Sequence, residues 1–239
     1  MNWKRLWDRF WDLLYPPRCP FCGRVLERPE ICTQCRETLP WIAEETVARE
    51  LHSGLVCASL LWYEGAVRDG IRHFKFQGGL SAARPMGALL AQCAADQFSG
   101  CFDVVTWAPV SRKRKRKRGY DQSELLAREA CRVWEVSPER LLVKNIHTPA
   151  QSSLQEVEAR QANVQGVYGP APDAKIRDRR ILIVDDVCTT GATLEECARV
   201  LREAGAAEVW GITLARPRPK KERRTDSGDI SQEKWRKSL

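Results

Sequence analysis

An α/β fold with a parallel sheet and flanking helices is what this sequence predicts, on three observations. The run Ile181-Leu182-Ile183-Val184 reads as a strand apolar on both faces, as strands buried in parallel sheets are. Two further apolar runs, 55–63 and 102–108, alternate with segments whose apolar residues recur at helical spacing. Ahead of this body stand two C-x-x-C pairs, Cys19/Cys22 and Cys32/Cys35, nine residues apart. Two thiolates separated by two residues can ligate one metal from a tight turn, and a second such turn completes a tetrahedral shell. A small four-cysteine zinc ribbon is therefore expected over 17–45, structural rather than catalytic because four thiolates leave no open position. A redox C-x-x-C would explain one pair but not two, and neither pair lies between a strand and a long helix.

Trp3, Leu6, Trp7, Phe10, Trp11 and Leu14 form an aromatic stripe over 1–16, ended by Pro16 and Pro17. Its opposite face mixes acidic with basic residues, which favours packing on the body or on a protein partner over an interfacial membrane helix. Helices are expected over 66–75 and 80–97, and another from near Asp121, where Asp121 and Glu124 make an acidic version of the capping box, ending before Ser137-Pro138. A short strand is expected over 141–144. Leu194, Cys197, Ala198 and Leu201 place a helix after residue 193, stopped by Gly205. A last strand spans 208–215, closing a body of 50–215, and the Pro, Lys, Arg and Ser-rich tail 216–239 reads as disordered.

Composition limits the function classes. The 239 residues suit one α/β domain plus appendages. The net charge of +8 is local: +7 lies in 112–118 and +5 in the tail, leaving −4 for the rest. Contact with anions or nucleic acid at one loop and one tail is implied, not a generally basic protein. Of ten cysteines only four have metal-ligand spacing; Cys57, Cys93, Cys101, Cys131 and Cys197 read as small buried thiols. Charges interrupt the N-terminal apolar residues, so no signal-peptide core is present, and no apolar run has transmembrane length. A cytoplasmic location is expected.

The chemistry concentrates in 181–193. A strand delivers Asp185 and Asp186, and Thr189, Thr190, Gly191, Ala192 and Thr193 then lead into a helix. Unpaired N–H groups at a helix start, joined by Thr hydroxyls, suit a phosphate. Carboxylates at a strand end accept hydrogen bonds from vicinal ribose hydroxyls or help hold a divalent cation. A sugar phosphate fits both. A Walker B strand also ends in acids, but the chain lacks the G-x-x-x-x-G-K-[ST] loop; a receiver aspartate lacks its partners locally; and a solvated Asp pair beside an ordinary Thr-Gly turn is the bland alternative. The seven cations 112–118, read as a loop leaving a strand at the same edge, suit a pyrophosphate, with Gly119 permitting close backbone approach. A solvated charge run or a nuclear-localisation stretch are the alternatives.

The 185–193 segment closely resembles the phosphoribosyl-pyrophosphate (PRPP) signature of type I phosphoribosyltransferases. The order of further elements is similar to the ComF family, the competence protein F-like proteins: cysteine knuckles after Pro-Pro, Tyr63-Glu64-Gly65, His73-Phe74-Lys75-Phe76, and Pro109-Val110 before Arg118-Gly119-Tyr120-Asp121-Gln122. The likeness runs over about 11–215 and includes the spacing of Thr148, Gln151, Arg160 and Asn163. It implies a type I phosphoribosyltransferase-like sheet. In it Asp185 and Asp186 would contact ribose, residues 189–193 would hold the 5-phosphate, and magnesium would accompany PRPP. Ser111, Arg112, Arg118 and Gly119 would serve the pyrophosphate, and Lys144, Gln151 and Arg160 would belong to a mobile loop. It also implies a role with single-stranded DNA in natural transformation, for which Lys113, Arg114, Lys115, Arg116 and Lys117 are the candidate contacts. No residue set reads as a nucleobase hood or acceptor pocket, and glutamine-dependent chemistry is not implied.

Overall fold

The computed structural model describes residues 16–76, 80–145 and 166–219. The N-terminal stripe, Thr148, Gln151, Arg160, Asn163 and the tail from 220 lie outside them. In chain order the elements are α1 (Thr33–Thr38), α2 (Glu44–Val47), β1 (Ala48–Glu50), β2 (Val56–Trp62), α3 (Gly65–Phe76), a 3-10 turn (Leu80–Ala82), α4 (Ala83–Phe98) and β3 (Val104–Trp107). There follow α5 (Arg112–Arg118), α6 (Gln122–Val133), β4 (Leu142–Lys144), β5 (Tyr168–Pro170), β6 (Arg180–Val187), α7 (Ala192–Glu203) and β7 (Glu208–Arg216).

Five strands form one sheet in the order β1-β2-β7-β6-β3. β2, β7, β6 and β3 are parallel, while β1 joins β2 antiparallel at the edge. The expected strand β6 is interior to the sheet, between β7 and β3, and its residues 181–184 are buried, as an apolar run without alternation requires. Two cores cover the two faces. One joins α4 and α6 to Leu182, Val184, Ile212 and Leu214; the other joins α7 and the β4–β5 hairpin to Ile181, Ile183 and Val209. The connection after β3 thus goes to one face and that after the adjacent β6 to the other, which opens a crevice between their C-terminal ends. The candidate site lies there.

Several details differ from the sequence reading. The basic run is a helix, α5, not a loop: Ser111 Oγ caps it by accepting from Arg114 N at 3.4 Å, and Gly119 ends it at φ 84. Lys and Arg are good helix formers, cations in a last turn suit the helix dipole, and Lys115 and Arg118 gain partners in Glu124 and Gln122 at 2.8 and 2.7 Å. Glu124 accordingly does not close a capping box. Only the Asp121 half forms, its Oδ1 accepting from Ser123 N and Glu124 N. Arg216, read as the first tail residue, ends β7; it is 4% exposed and donates to Thr46 O at 2.6 Å.

The cysteine lobe is continuous with the first core. Cys19, Phe21 and Ile31 share it with Phe74 and Met86, and Gly70 of α3 lies where a side chain would come within 2.4 Å of Pro20 O. The chain returns from the lobe by pairing Trp41 with Leu61 at the sheet edge.

Candidate ligand cleft and cysteine site

Asp185 and Asp186 end β6 in the crevice. Asp186 is 4% exposed, and its Oδ1 accepts from Lys75 Nζ at 2.9 Å. Its Oδ2 is buried without a hydrogen-bond partner among the described residues, an acceptor position that a ligand hydroxyl or cation would satisfy. Asp185 Oδ1 accepts from Ser123 Oγ and from Asp186 N, each at 2.8 Å. Burial, together with the neighbouring Asp186 charge, pushes the Asp185 carboxyl up to about 7. Burial opposes the Lys75 ammonium, yet Asp186 and Asp185 hold it above its ordinary value.

Residues 188–193 turn from β6 into α7. Cys188 N donates to Ala215 O at 2.9 Å, and Gly191 at φ 90 places its Cα where any Cβ would meet Leu51 Cδ1 at 2.8 Å. Glycine suits the left-handed backbone here. Thr189 and Thr193 face the cleft; the Thr190 hydroxyl instead accepts from Ala192 N at 3.3 Å, holding the turn. The turn is propped from behind. Arg49 of β1 donates to Cys188 Sγ at 3.9 Å, and the influence of the Cys57 thiol, then that of Arg49, brings the Cys188 thiol down to about 7.

The opposite wall is cationic. A cleft of about 240 Å³ is closed by Arg114, Arg118, Lys144 and Tyr168 facing Asp185, Asp186, Thr189 and Thr193. Lys144 donates to the Tyr168 hydroxyl at 2.9 Å, and burial, then the Arg114 charge, lowers its ammonium from the ordinary lysine value. Helical geometry divides the basic run between two cavities. Arg114 and Arg118, one turn apart, line the cleft, whereas Arg112, Lys113, Lys115 and Arg116 line an outer groove with Arg140 and Trp107. Arg112 therefore stands away from the cleft where the sequence reading put it, and Arg114 stands in it; Lys117 and Gly119 line neither. Ser111 borders the groove.

Sequence reasoning assigned no role to Lys75, Ser123, Tyr63 or Tyr168, although all reach the carboxylates or the cleft. Only Lys75 carried a signal, a cation set between two phenylalanines in the last turn of an amphipathic helix. The others arrive from three separate parts of the chain.

The four knuckle cysteines converge as expected, their ligand atoms all within 4.8 Å of one another. Cys19 and Cys22 flank a turn closed by Gly23 N donating to Cys19 O at 2.9 Å, with Gly23 at φ 73, and Cys32 caps α1 by accepting from Cys35 N. Burial of Cys19, Cys32 and Cys35 and the all-sulfur donor set fit a closed structural zinc shell. No helix among the described residues is long and apolar enough to cross a membrane.

Comparison with known proteins agrees with both parts. Residues 141–236 match the phosphoribosyl transferase domain and residues 10–60 the double zinc ribbon domain. Competence protein F of Haemophilus influenzae is 31% identical over 207 residues, covering 82% of this chain and 90% of that protein. Competence protein ComFC of Bacillus subtilis is 25% identical, covering 83% and 77%. The DNA utilization protein YhgH of Escherichia coli is 26% identical, covering 80% and 82%. With its two-part cysteine knuckle, its Asp-Asp-x-x-Thr-Thr-Gly crevice and this extent of shared sequence, the chain belongs to the competence protein F family.

Proposed function

We propose that the chain is a cytoplasmic PRPP-binding, phosphoribosyltransferase-like protein that handles single-stranded DNA during DNA uptake. The observation that carries the ligand is the opposition across one small cleft of two strand-end carboxylates and a phosphate-type turn to Arg114, Arg118 and Lys144. Ribose hydroxyls would donate to Asp185 and to Asp186, whose Oδ2 lacks a partner among the described residues. The 5-phosphate would take the N–H groups at the start of α7 with Thr189 and Thr193, and the pyrophosphate the cationic wall, magnesium offsetting its charge. Competence and DNA-utilization names among the relatives support the nucleic-acid role, as do the exposed cations of the outer groove.

A sensor that binds PRPP without consuming it is the second reading, since the fold and the ligand cleft alone do not establish catalysis. Calorimetry with PRPP and magnesium tests the shared claim: Asp185→Asn and Thr193→Val should each weaken binding by about 1 to 3 kcal/mol. Wild-type affinity in both variants would show that the cleft has been misread. Pyrophosphate release during an acceptor screen then separates transferase from sensor.

A further inference from the structure

The cations of α5 explain attraction to a polyanion but not a preference for single strands, whose distinguishing feature is bases with open faces. Such a base needs an exposed aromatic ring beside the cations. Phe76, 65% exposed, is the only exposed phenylalanine, tyrosine or tryptophan among the described residues. Tyr120 is turned inward: its ring lies 6.0 Å from that of buried Phe74, and its hydroxyl donates to Phe74 O. Phe76 ends α3 directly after Lys75, whose ammonium reaches Asp186 in the cleft. The Arg118 guanidinium stands 4.7 Å from the centre of the Phe76 ring, held independently by donating to Gln122 Oε1 at 2.7 Å. One guanidinium cannot cover both faces of a ring this exposed, so one face is open to solvent.

We propose that Phe76 is a base-stacking platform, on which one base of a single-stranded nucleic acid lies while the strand's backbone follows α5 into the outer groove. Arg118, beside the ring, ends the same helix whose Arg112, Lys113 and Arg116 line that groove. The seven residues of α5 span about 10 Å, and a strand advances at least about 3.4 Å per phosphate, so no more than about three nucleotides connect platform and groove. A duplex keeps its bases stacked on one another and offers none to the ring, whereas every unpaired base has a π-face. The platform therefore selects strandedness and not sequence. Stacking also withdraws from water an apolar ring that folding leaves exposed. Charge favours a nucleic acid over a protein as the occupant. The acids lining the groove are Asp121 and Glu124, and both are engaged: Asp121 accepts from backbone N–H groups, and Glu124 pairs with Lys115 and Arg128.

The platform rests on the nucleic-acid reading above, so the experiment varies base and cation separately. Fluorescence anisotropy at fixed salt measures binding of the zinc-loaded full-length protein to a labelled oligothymidylate, to a strand of equal length with abasic sugars throughout, and to a duplex of that length. Phe76→Ala should weaken oligothymidylate binding at least about fivefold, the low end for one stacked base. Its binding to the abasic strand and the duplex should change less than about twofold. The salt slope should stay that of wild type, because no phosphate contact is lost. Phe76→Trp should restore the affinity for oligothymidylate, and PRPP affinity by calorimetry should hold within about twofold in both variants, since Gln122 still holds Arg118. Equal affinity of wild type and Phe76→Ala for oligothymidylate, or an equal loss on the abasic strand, overturns the platform. So does a PRPP loss matching the DNA loss, which would assign Phe76 to positioning Arg118. Wild-type protein that binds none of the three probes sinks the nucleic-acid reading and the platform together. If exchanging Arg112, Lys113, Arg116 and Arg140 for Ser leaves binding intact while Phe76→Ala still shows its base-dependent loss, the path into the groove is overturned and the stacking stands.

Discussion

Lys75→Met would strand the Asp186 carboxylate in the floor of the cleft. The two side chains are 19% and 6% exposed, their ion pair spans 2.9 Å, and Asp186 Oδ2 already lacks a partner among the described residues. Methionine keeps most of the aliphatic stem, so packing is nearly conserved and the loss is electrostatic. Removing one partner of a buried pair costs about 3 to 5 kcal/mol; the partial exposure of Lys75 points to the lower end, about 3 kcal/mol. For a domain of this size 1 kcal/mol shifts Tm by roughly 2 to 4 °C, so the variant should melt roughly 6 to 12 °C lower without ligand. Adding Asp186→Asn removes the stranded charge and should return at least half of that loss. Circular-dichroism melts of the zinc-loaded proteins provide the measurement. A fall of under about 3 °C, or no recovery in the double variant, would refute the reasoning.

Asp185 gives a pH dependence of determinable sign. Its folded value, about 7, lies above the ordinary Asp value of roughly 3.9, so its contribution to the stability of the unliganded protein is full below about pH 4 and is lost as pH rises through 7. PRPP hydroxyls require the carboxylate, so affinity should rise about tenfold from pH 6 to 8, beyond the change seen in Asp185→Asn; parallel titrations of the two proteins check this. Cys32→Ser should abolish stoichiometric zinc by metal analysis and lower Tm, because the knuckle packs on α3 at Gly70; full zinc retention would remove the assignment. Changing Arg112, Lys113, Arg116 and Arg140 together to Ser should flatten the salt slope of single-stranded DNA binding by about 2 to 3 units, at roughly 0.7 per phosphate contact, while sparing PRPP. Arg114→Ser should do the reverse, and equal effects of both on the two ligands would argue against two separate cavities.

By itself the sequence determined what is local in the chain. An apolar run without alternation became interior strand β6, Asp121 capped α6, Gly205 followed the end of α7, and paired knuckles brought four sulfurs together. Each depends on neighbours within a turn or two, or on one metal-binding spacing. Asp185, Asp186 and Gly191 were legible for the same reason, since strand, acids and helix start are contiguous. The rest needed the tertiary structure. Lys75 reaches Asp186 across 111 residues from α3, which follows β2, and Ser123 reaches Asp185 across 62 from α6, which follows the strand beside β6 in the sheet. Composition could not show that seven consecutive cations coil into a helix and divide between two cavities.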